Sequence, residues 1–291
     1  FTDSILTEVE FVNSDLTGAD FSQSRLGQAK FICCNLERSR FCQSDLQKVR
    51  LVNCNLWHTG FIKSDLAGGV FEKLNLEQVL FYQSKLGGAI FDLQEIARDT
   101  SFALCDLKNS VFNGSEDETT IFNCDFRNAD LSGARFTVAE IHNSNFTKAK
   151  LTQTDMSGCS RIAGSNFRYC SCVELNLIGV TVEECYFSWV DLSWMKPKAG
   201  VEFMDCDFTH ANLSGFDFGV GGYQGSNILL STNLSNCRME KSDFSASKLL
   251  MTNFNGAKIM DSKFTQEQLE CLELTAMQLR EVKIIVGEDI K

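Results

Sequence analysis

A large apolar residue occupies every fifth position over the first third of the chain, and a smaller residue stands two positions before most of them. A period of five fits neither an α-helix, with about 3.6 residues per turn, nor a plain strand, in which side chains alternate. The backbone is therefore predicted to bend once every five residues. The series is Phe1, Leu6, Phe11, Leu16, Phe21, Leu26, Phe31, Leu36, Phe41, Leu46, Leu51, Leu56, Phe61, Leu66, Phe71, Leu76, Phe81, Leu86, Phe91 and Ile96.

The spacing within each unit predicts which residues point inward. Residues two apart lie on the same side of an extended segment, so the large residue and the small one before it share the interior. Phe and Leu alternate almost strictly, so like residues stack from coil to coil only if the number of sides is even. Two sides leave no room for inward rings. The sequence therefore predicts an all-β, four-sided solenoid of about 20 residues per coil, with Phe on two opposite faces and Leu on the other two.

Several units resemble a known family. Residues 14–18 read SDLTG, residues 129–133 read ADLSG and residues 211–215 read ANLSG. This pattern is similar to that of the pentapeptide-repeat family, whose unit is roughly small, Asp or Asn, Leu or Phe, Ser or Thr, Gly. The resemblance covers nearly the whole chain to about Phe264. It implies a right-handed, four-sided β-helix, a hand that spacing alone does not give.

The period of five is interrupted inside the predicted solenoid of residues 1–264. The interruptions are one-residue slips of register at 100–101 and near 159–164, and insertions near 113–120, 193–201 and 219–231. We expect each insertion to leave a corner as a loop, and loops commonly carry function. The candidate protein-contact residues are therefore Glu116, Asp117, Glu118, Trp194, Lys196, Lys198 and Tyr223. Trp57 and Trp189 closely follow inward positions, and we expect their rings to shield corners.

The unit changes at residues 265–291, which are predicted to form a short helical cap. Thr265 and Thr275 each begin a Thr-x-x-Gln sequence that is typical of a capping box. The open end of a solenoid exposes unpaired backbone and a slice of the core, and therefore needs a cover. The apolar residues that serve either as this cap or as a homodimer contact are Leu269, Leu272, Leu279, Val282 and Ile285.

The net charge and the cysteines limit the classes of binding partner and the cellular location that we expect for this protein. The net charge of −11 repels phosphates, so no direct nucleic-acid binding is expected. Many of the acidic residues directly precede an inward residue, as at Asp15, Asp45 and Asp65, where a carboxylate can bond to the corner backbone.

Most of the 13 cysteines fall at small inward positions and are predicted to be reduced core thiols. No apolar run could span a membrane and no signal peptide is visible, so we expect a cytoplasmic location. The chain starts with Phe1, so a preceding segment of a longer protein could change that expectation.

No set of residues predicts catalysis. His58, His142 and His210 are expected to point outward on separate coils, without a nucleophile beside them. The glycines near 219–225 lack the Lys and Ser or Thr of a phosphate-binding loop. We therefore predict no catalytic, cofactor-binding or metal-binding residues, no cofactor and no enzymatic activity.

Three functional hypotheses remain open. The first is a protein-binding scaffold that presents a rigid acidic rod and surface loops to a partner. The family resemblance implies a second, a protein that mimics DNA, binds DNA gyrase or topoisomerase IV, and protects or inhibits it. The third is the repeat domain of a larger bacterial effector. A homodimer formed through the C-terminus is compatible with each of them.

Overall fold

The backbone forms a parallel β-solenoid of about 13 coils. The computed structural model describes residues 1–114, 119–194, 201–216, 228–245 and 247–285. Backbone amides bond from each coil to the next; for example, the N–H of Phe21 donates to the carbonyl of Arg40 at 2.8 Å, and that of Phe41 to Gly60 at 2.8 Å. The coils thus satisfy one another's polar backbone groups around a dry interior.

Short strands lie on the faces of the solenoid in this part of the chain. They are β1 (Glu10–Val12), β2 (Lys30–Ile32), β3 (Arg50–Val52), β4 (Val70–Glu77), β5 (Ile90–Arg98), β6 (Val111–Asn113), β7 (Thr120–Phe122), β8 (Arg135–Thr137), β9 (Glu140–His142), β10 (Arg161–Ala163), β11 (Thr181–Glu183), β12 (Glu202–Met204), β13 (Ile228–Leu230), β14 (Lys248–Leu250), β15 (Lys263–Thr265) and β16 (Lys283–Ile285). One sheet runs from β1 through β5, β7 and β9 to β14, and β6 and β8 branch from β5. Strands β15 and β16 pair separately.

Phe rings build two columns on opposite sides of the interior, which confirms the predicted stacking. Phe41 is fully buried between Phe21 and Phe61, with ring centroids 4.8 and 4.9 Å away and planes nearly parallel. Phe31, in the opposite column, meets the Phe41 ring edge-on at 5.8 Å. Stacked and edge-to-face pairs are the favoured aromatic arrangements, so the columns support each other. We call the side of Phe21 and Phe41 the first Phe face, and the side of Phe31 the second.

The corners are built from local hydrogen bonds and left-handed residues. Asp15 Oδ1 accepts a bond from the backbone N–H of Thr17 at 3.1 Å, and Asp45 Oδ1 accepts one from Gln47 at 3.1 Å. These bonds confirm the predicted corner role of the carboxylates. The residue two positions after the inward one usually has positive φ, as at Lys48 with φ 56°. Such residues bend the chain at the corner of each unit.

The first slip of register lies earlier than the sequence predicted. Ile96 was expected to point inward, with the slip at 100–101. Instead Ala97 is buried in the column between Leu76 and Ile121, and Ile96 is only half-buried. Strands β4 and β5 run straight across a corner and pair with irregular register, which absorbs the extra residue before Ala97. The prediction for Ile96 was therefore wrong.

The other predicted irregularities have different outcomes. The second slip is confirmed, because Ile162 pairs with Ile141, 21 residues before it. Phe1 was counted as an inward residue, yet its ring is more than half exposed although it stacks on Phe21 at 4.8 Å. The central parts of the three predicted insertions, residues 115–118, 195–200 and 217–227, lie outside the described residues.

Two short helices follow the solenoid, α1 (Gln266–Cys271) and α2 (Ala276–Glu281). Thr265 and Thr275 form the predicted capping boxes with Gln268 and Gln278. Each Gln also reaches the coil beneath. The Nε2 of Gln278 donates to the carbonyls of Phe254 and Ala257, at 2.9 Å each. The helices thus supply donors to carbonyls that a further coil would have bonded. Neither helix in the described ranges has the length and apolar character needed to cross a membrane.

Candidate protein-contact surface

Aromatic residues divide sharply between the inside and the outside of the solenoid. The largest fully buried side chains are Phe residues, whereas every Tyr and Trp in the described part of the chain is exposed. Four of these exposed residues fall between residues 169 and 194. They are Tyr169, Tyr186, Trp189 and Trp194. This stretch of the solenoid therefore concentrates large exposed rings.

The core fixes three outward rings in a ladder. Tyr169, Trp189 and His210 occupy the same corner on three successive coils, each with φ between 61° and 64°. Each follows a residue of the first Phe face by two positions. Those core residues are Phe167, Phe187 and Phe208, whose rings stack at 4.9 Å. Because the inner stack sets the register, the outer rings also meet: Trp189 lies 6.4 Å from Tyr169 and 4.3 Å from His210, measured between ring centroids.

A second aromatic contact lies on the same face. The guanidinium carbon of Arg168 sits 4.3 Å from the ring centroid of Tyr186, a cation–π geometry. Arg168 also approaches Asp207, with 4.0 Å between Nη2 and Oδ2. Partial burial opposes ionisation of Asp207, but hydrogen bonds from Thr209 and Ser188 and the charge of Arg168 together lower its pKa. Arg168 is thus held over Tyr186 by an ionised neighbour.

Acidic side chains border the rings on both sides. Glu184 and Asp205 occupy the preceding corner on two successive coils and are exposed. Asp191 lies beyond Trp189, and its carboxylate accepts bonds from Ser193 and from Asn212, which lies on the next coil. None of the three acids forms an ion pair with a residue of the described ranges. We call Tyr169, Tyr186, Trp189 and His210, with Arg168 and these acids, the aromatic surface.

The predicted contact residues can be placed only in part. Trp194 is 64% exposed, one corner further along the coil that holds Trp189. Glu116, Asp117, Glu118, Lys196, Lys198 and Tyr223 lie outside the described residues. Trp189, which was expected to shield a corner, is instead 55% exposed. The ladder is not among the predicted contact residues, although the sequence carries a signal for it: Tyr169 and Trp189 are aromatic residues at the same corner position, 20 residues apart.

The predicted C-terminal residues divide into two groups. Leu269, Leu272 and Val282 are half-buried and pack against the end of the core, as a cap requires. Leu279 is exposed on α2, beside the more exposed Met277. Ile285 is half-buried in β16, where it pairs with Thr265. The cap therefore covers the core and still presents apolar side chains outward.

Reactive groups are buried or isolated in this structure. Ten of the 13 cysteines are buried, and none of the 13 forms a disulfide. Burial raises the pKa of Cys54 to about 11 and that of Cys105 to about 12, which disfavours the reactive thiolate. His142 Nε2 lies 2.5 Å from Glu140 Oε2, an outward pair without a nearby nucleophile in the described part of the chain. Within the described ranges, no group of three or more His, Cys, Asp or Glu residues is arranged to hold a metal ion.

Comparisons with known proteins match the repeated five-residue unit of this chain to pentapeptide repeats. Residues 4–91 match the model of the pentapeptide repeat region, and residues 122–158 and 229–266 match the model described as pentapeptide repeats (8 copies). Among solved structures, the chain is similar to HetL, a pentapeptide repeat protein involved in heterocyst differentiation regulation from the cyanobacterium Nostoc sp. strain PCC 7120, with 16% identity over 89% of each chain and a TM-score of 0.23. It is also similar to a trypsin-treated form of QnrB1, a plasmid-mediated fluoroquinolone resistance protein, with 14% identity over 98% of this chain and 99% of that chain and a TM-score of 0.18. No curated protein matches the sequence.

Proposed function

We propose that this chain, which belongs to the pentapeptide-repeat family, is a non-enzymatic scaffold that binds a protein partner through the aromatic surface. The observation that supports the proposal is the exposed ladder of Tyr169, Trp189 and His210. Tyr, Trp and Arg are the residues most enriched at the energetic centres of protein interfaces. The ladder is already ordered by the Phe stack beneath it, so binding would freeze few side chains.

The acidic residues favour a specific contact over a uniformly negative rod. Many of them pair with a basic residue on an adjacent coil: Asp130 Oδ2 lies 3.4 Å from Lys108 Nζ and 3.5 Å from Lys150 Nζ. Lys263 and Asp243 pair at 2.8 Å. Such pairing reduces the field that a mimic of DNA would need. Gyrase or topoisomerase IV nevertheless remains a candidate partner, and the test is a supercoiling assay with the purified protein, in which inhibition or protection at micromolar concentration would support it.

Co-purification tests the scaffold proposal. Tagged wild-type protein and the Trp189→Ala variant are used to capture partners from cells of the source organism. Trp57→Ala is the matched control, since Trp57 is also exposed but lies on a distant coil with Arg38 over its ring at 5.2 Å. We expect wild type and Trp57→Ala to retain one common partner that Trp189→Ala loses, while all three keep the same circular dichroism spectrum. Retention of that partner by Trp189→Ala would contradict the proposal.

We further propose roles for the other predicted contact residues, as an extension of the aromatic surface and as a homodimer contact. Lys196 and Lys198 follow Trp194 closely in the sequence and would extend the aromatic surface. The exposed Met277 and Leu279 support a homodimer formed through the C-terminus. Sedimentation equilibrium tests that dimer: wild type should dimerise and Leu279→Lys should not, and a monomeric wild type would exclude it. The buried, unpaired cysteines support a cytoplasmic location.

A further inference from the structure

We propose that the segment bound by the aromatic surface is proline-rich, carries Arg or Lys, and lies in polyproline II conformation parallel to the solenoid axis. This inference rests on the proposed function and names the chemistry of the partner. Three features of the surface carry it: the axial spacing of the rings, the free hydrogen-bond donors on the rings, and the border acids that form no ion pair in the described ranges.

The axial spacing of the ladder matches one turn of polyproline II. Tyr169 and His210 are two coils apart, and each coil adds 4.9 Å along the Phe stack, so they are separated by about 10 Å along the axis. Polyproline II has three residues per turn and a rise of about 3.1 Å per residue, or about 9.3 Å per turn. A segment running along the corner would therefore present equivalent proline rings to Tyr169 and His210, with Trp189 between them.

The donors of the surface match the acceptors of such a segment. The hydroxyls of Tyr169 and Tyr186 and the indole N–H of Trp189 make no hydrogen bond with any residue of the described ranges. Polyproline II forms no internal hydrogen bonds, so its carbonyls are free to accept from these groups. An α-helix would not serve equally well, because its carbonyls are already bonded within the helix. The free donors thus favour an extended, proline-rich ligand over a docked helix.

The border charges require a cationic ligand. Asp207 is already engaged with Arg168, and Glu184 interacts electrostatically with Arg161, whereas Asp205 and Asp191 form no ion pair in the described part of the chain. An Arg or Lys in the bound segment would meet one of these carboxylates beside the rings. The contact of Arg168 with Tyr186 at 4.3 Å shows that a guanidinium stacks on a ring of this surface.

Three synthetic peptides separate the contributions of proline and of charge. Each has about 12 residues, or four turns of polyproline II. The first repeats Pro-Pro-Arg, the second repeats Pro-Pro-Glu, and the third repeats Gly-Ser-Arg. Calorimetric titration of the full chain should show that the first binds about tenfold more tightly than either of the others, and that its affinity falls as salt rises.

Variants of the chain then locate the binding. Trp189→Ala should weaken the Pro-Pro-Arg peptide about 30-fold, as for an aromatic anchor. The double variant Glu184→Gln with Asp205→Asn should weaken it about threefold and reduce its salt dependence. Trp57→Ala should bind like wild type.

Distinct outcomes would overturn the inference. It fails if the Gly-Ser-Arg peptide binds as tightly as Pro-Pro-Arg, since charge alone would then explain binding. It also fails if no Pro-Pro-Arg binding is detected at about millimolar concentration, or if Trp189→Ala leaves that binding unchanged. A partner that Trp189→Ala loses, but that the Pro-Pro-Arg peptide does not displace, would leave the scaffold proposal standing and refute this one. A partner that Trp189→Ala retains would refute the scaffold proposal itself.

Discussion

Replacing Phe41 by Ala should destabilise the columns of Phe rings more than any substitution on the surface of the solenoid. The Phe41 ring is fully buried and lies between two parallel rings at 4.8 and 4.9 Å, with a third ring edge-on at 5.8 Å. Truncation removes all three contacts and leaves a cavity that the flanking rings cannot close, because hydrogen bonds hold their coils on both sides. The chain cannot refill the space by a local movement.

The expected loss is near the upper end of the usual range. Phe→Ala in a core costs about 3–5 kcal/mol. Each aromatic pair contributes about 0.5–1.5 kcal/mol beyond its buried area, and Phe41 loses three such pairs. We therefore expect Phe41→Ala to lower the free energy of unfolding by about 4–5 kcal/mol. Phe41→Leu should cost less than Phe41→Ala, because Leu fills part of the space and Leu51 already occupies a Phe column in the native chain.

Hydrogen exchange monitored by mass spectrometry is the appropriate assay, since each coil contacts only its neighbours and unfolding of a solenoid can be local. Phe41→Ala should lose protection in coils that include Phe21 and Phe61, and less at distant coils. Tyr82→Ala, at an exposed position two coils away, is the control and should change stability by less than about 0.5 kcal/mol. If Phe41→Ala and Tyr82→Ala gave the same protection and the same urea midpoint, the stacking argument would be refuted.

Three further predictions concern corners, cap and pH. Gly158→Ala should cost at least about 1 kcal/mol more than Gly27→Ala in urea unfolding, because a new Cβ at Gly158 would lie 2.7 Å from the backbone oxygen of Phe136, whereas at Gly27 it would lie 3.9 Å from that of Gln47; equal costs would contradict that contact. Gln278→Ala should cost about 2 kcal/mol in thermal unfolding, because it leaves the carbonyl of Ala257 unbonded and removes one of the two bonds to the carbonyl of Phe254; a change below about 0.5 kcal/mol would show that the helix does not cap the coil. Partial burial opposes ionisation of Asp130, but hydrogen bonds from Ser132 and the charge of Lys108 lower its pKa below the usual 3.8. Its contribution to stability is therefore present above pH 3.8 and is lost as pH falls through the lower pKa of the folded state. Acid titration of the unfolding midpoint should therefore be flatter for Asp130→Asn, and an unchanged curve would refute that linkage.

The columns of Phe rings could be predicted from the sequence because the interior accommodates few residue types. Every fifth residue must fill the same space in the interior, so the spacing of Phe41 and its neighbours predicts the stack of Phe rings from the sequence alone. The slip near Ile96 could not be placed in the same way. A large Ile at the expected spacing outweighs a small Ala one position later, and only the straight course of β4 and β5 makes Ala97 the inward residue.

The aromatic surface was harder to predict for a different reason. Corner residues such as Trp189 can fold over the coil or stand away from it, and the pattern of one unit does not decide between them. What decides is the residue above and below, and this depends on the register between coils. Tyr169 and Trp189 are 20 residues apart, whereas His210 follows 21 residues after Trp189. The alignment becomes clear only once the irregular coils have been placed.

Site-specific photocrosslinking tests most directly whether the aromatic surface contacts a protein. The photoreactive residue p-benzoylphenylalanine replaces Trp189 in one variant and Tyr82, an exposed aromatic position on a distant coil, in another. Irradiation of cells that produce each variant should give a discrete higher-mass adduct from position 189 and none from position 82. No adduct from position 189, or the same adduct from both positions, would contradict the account.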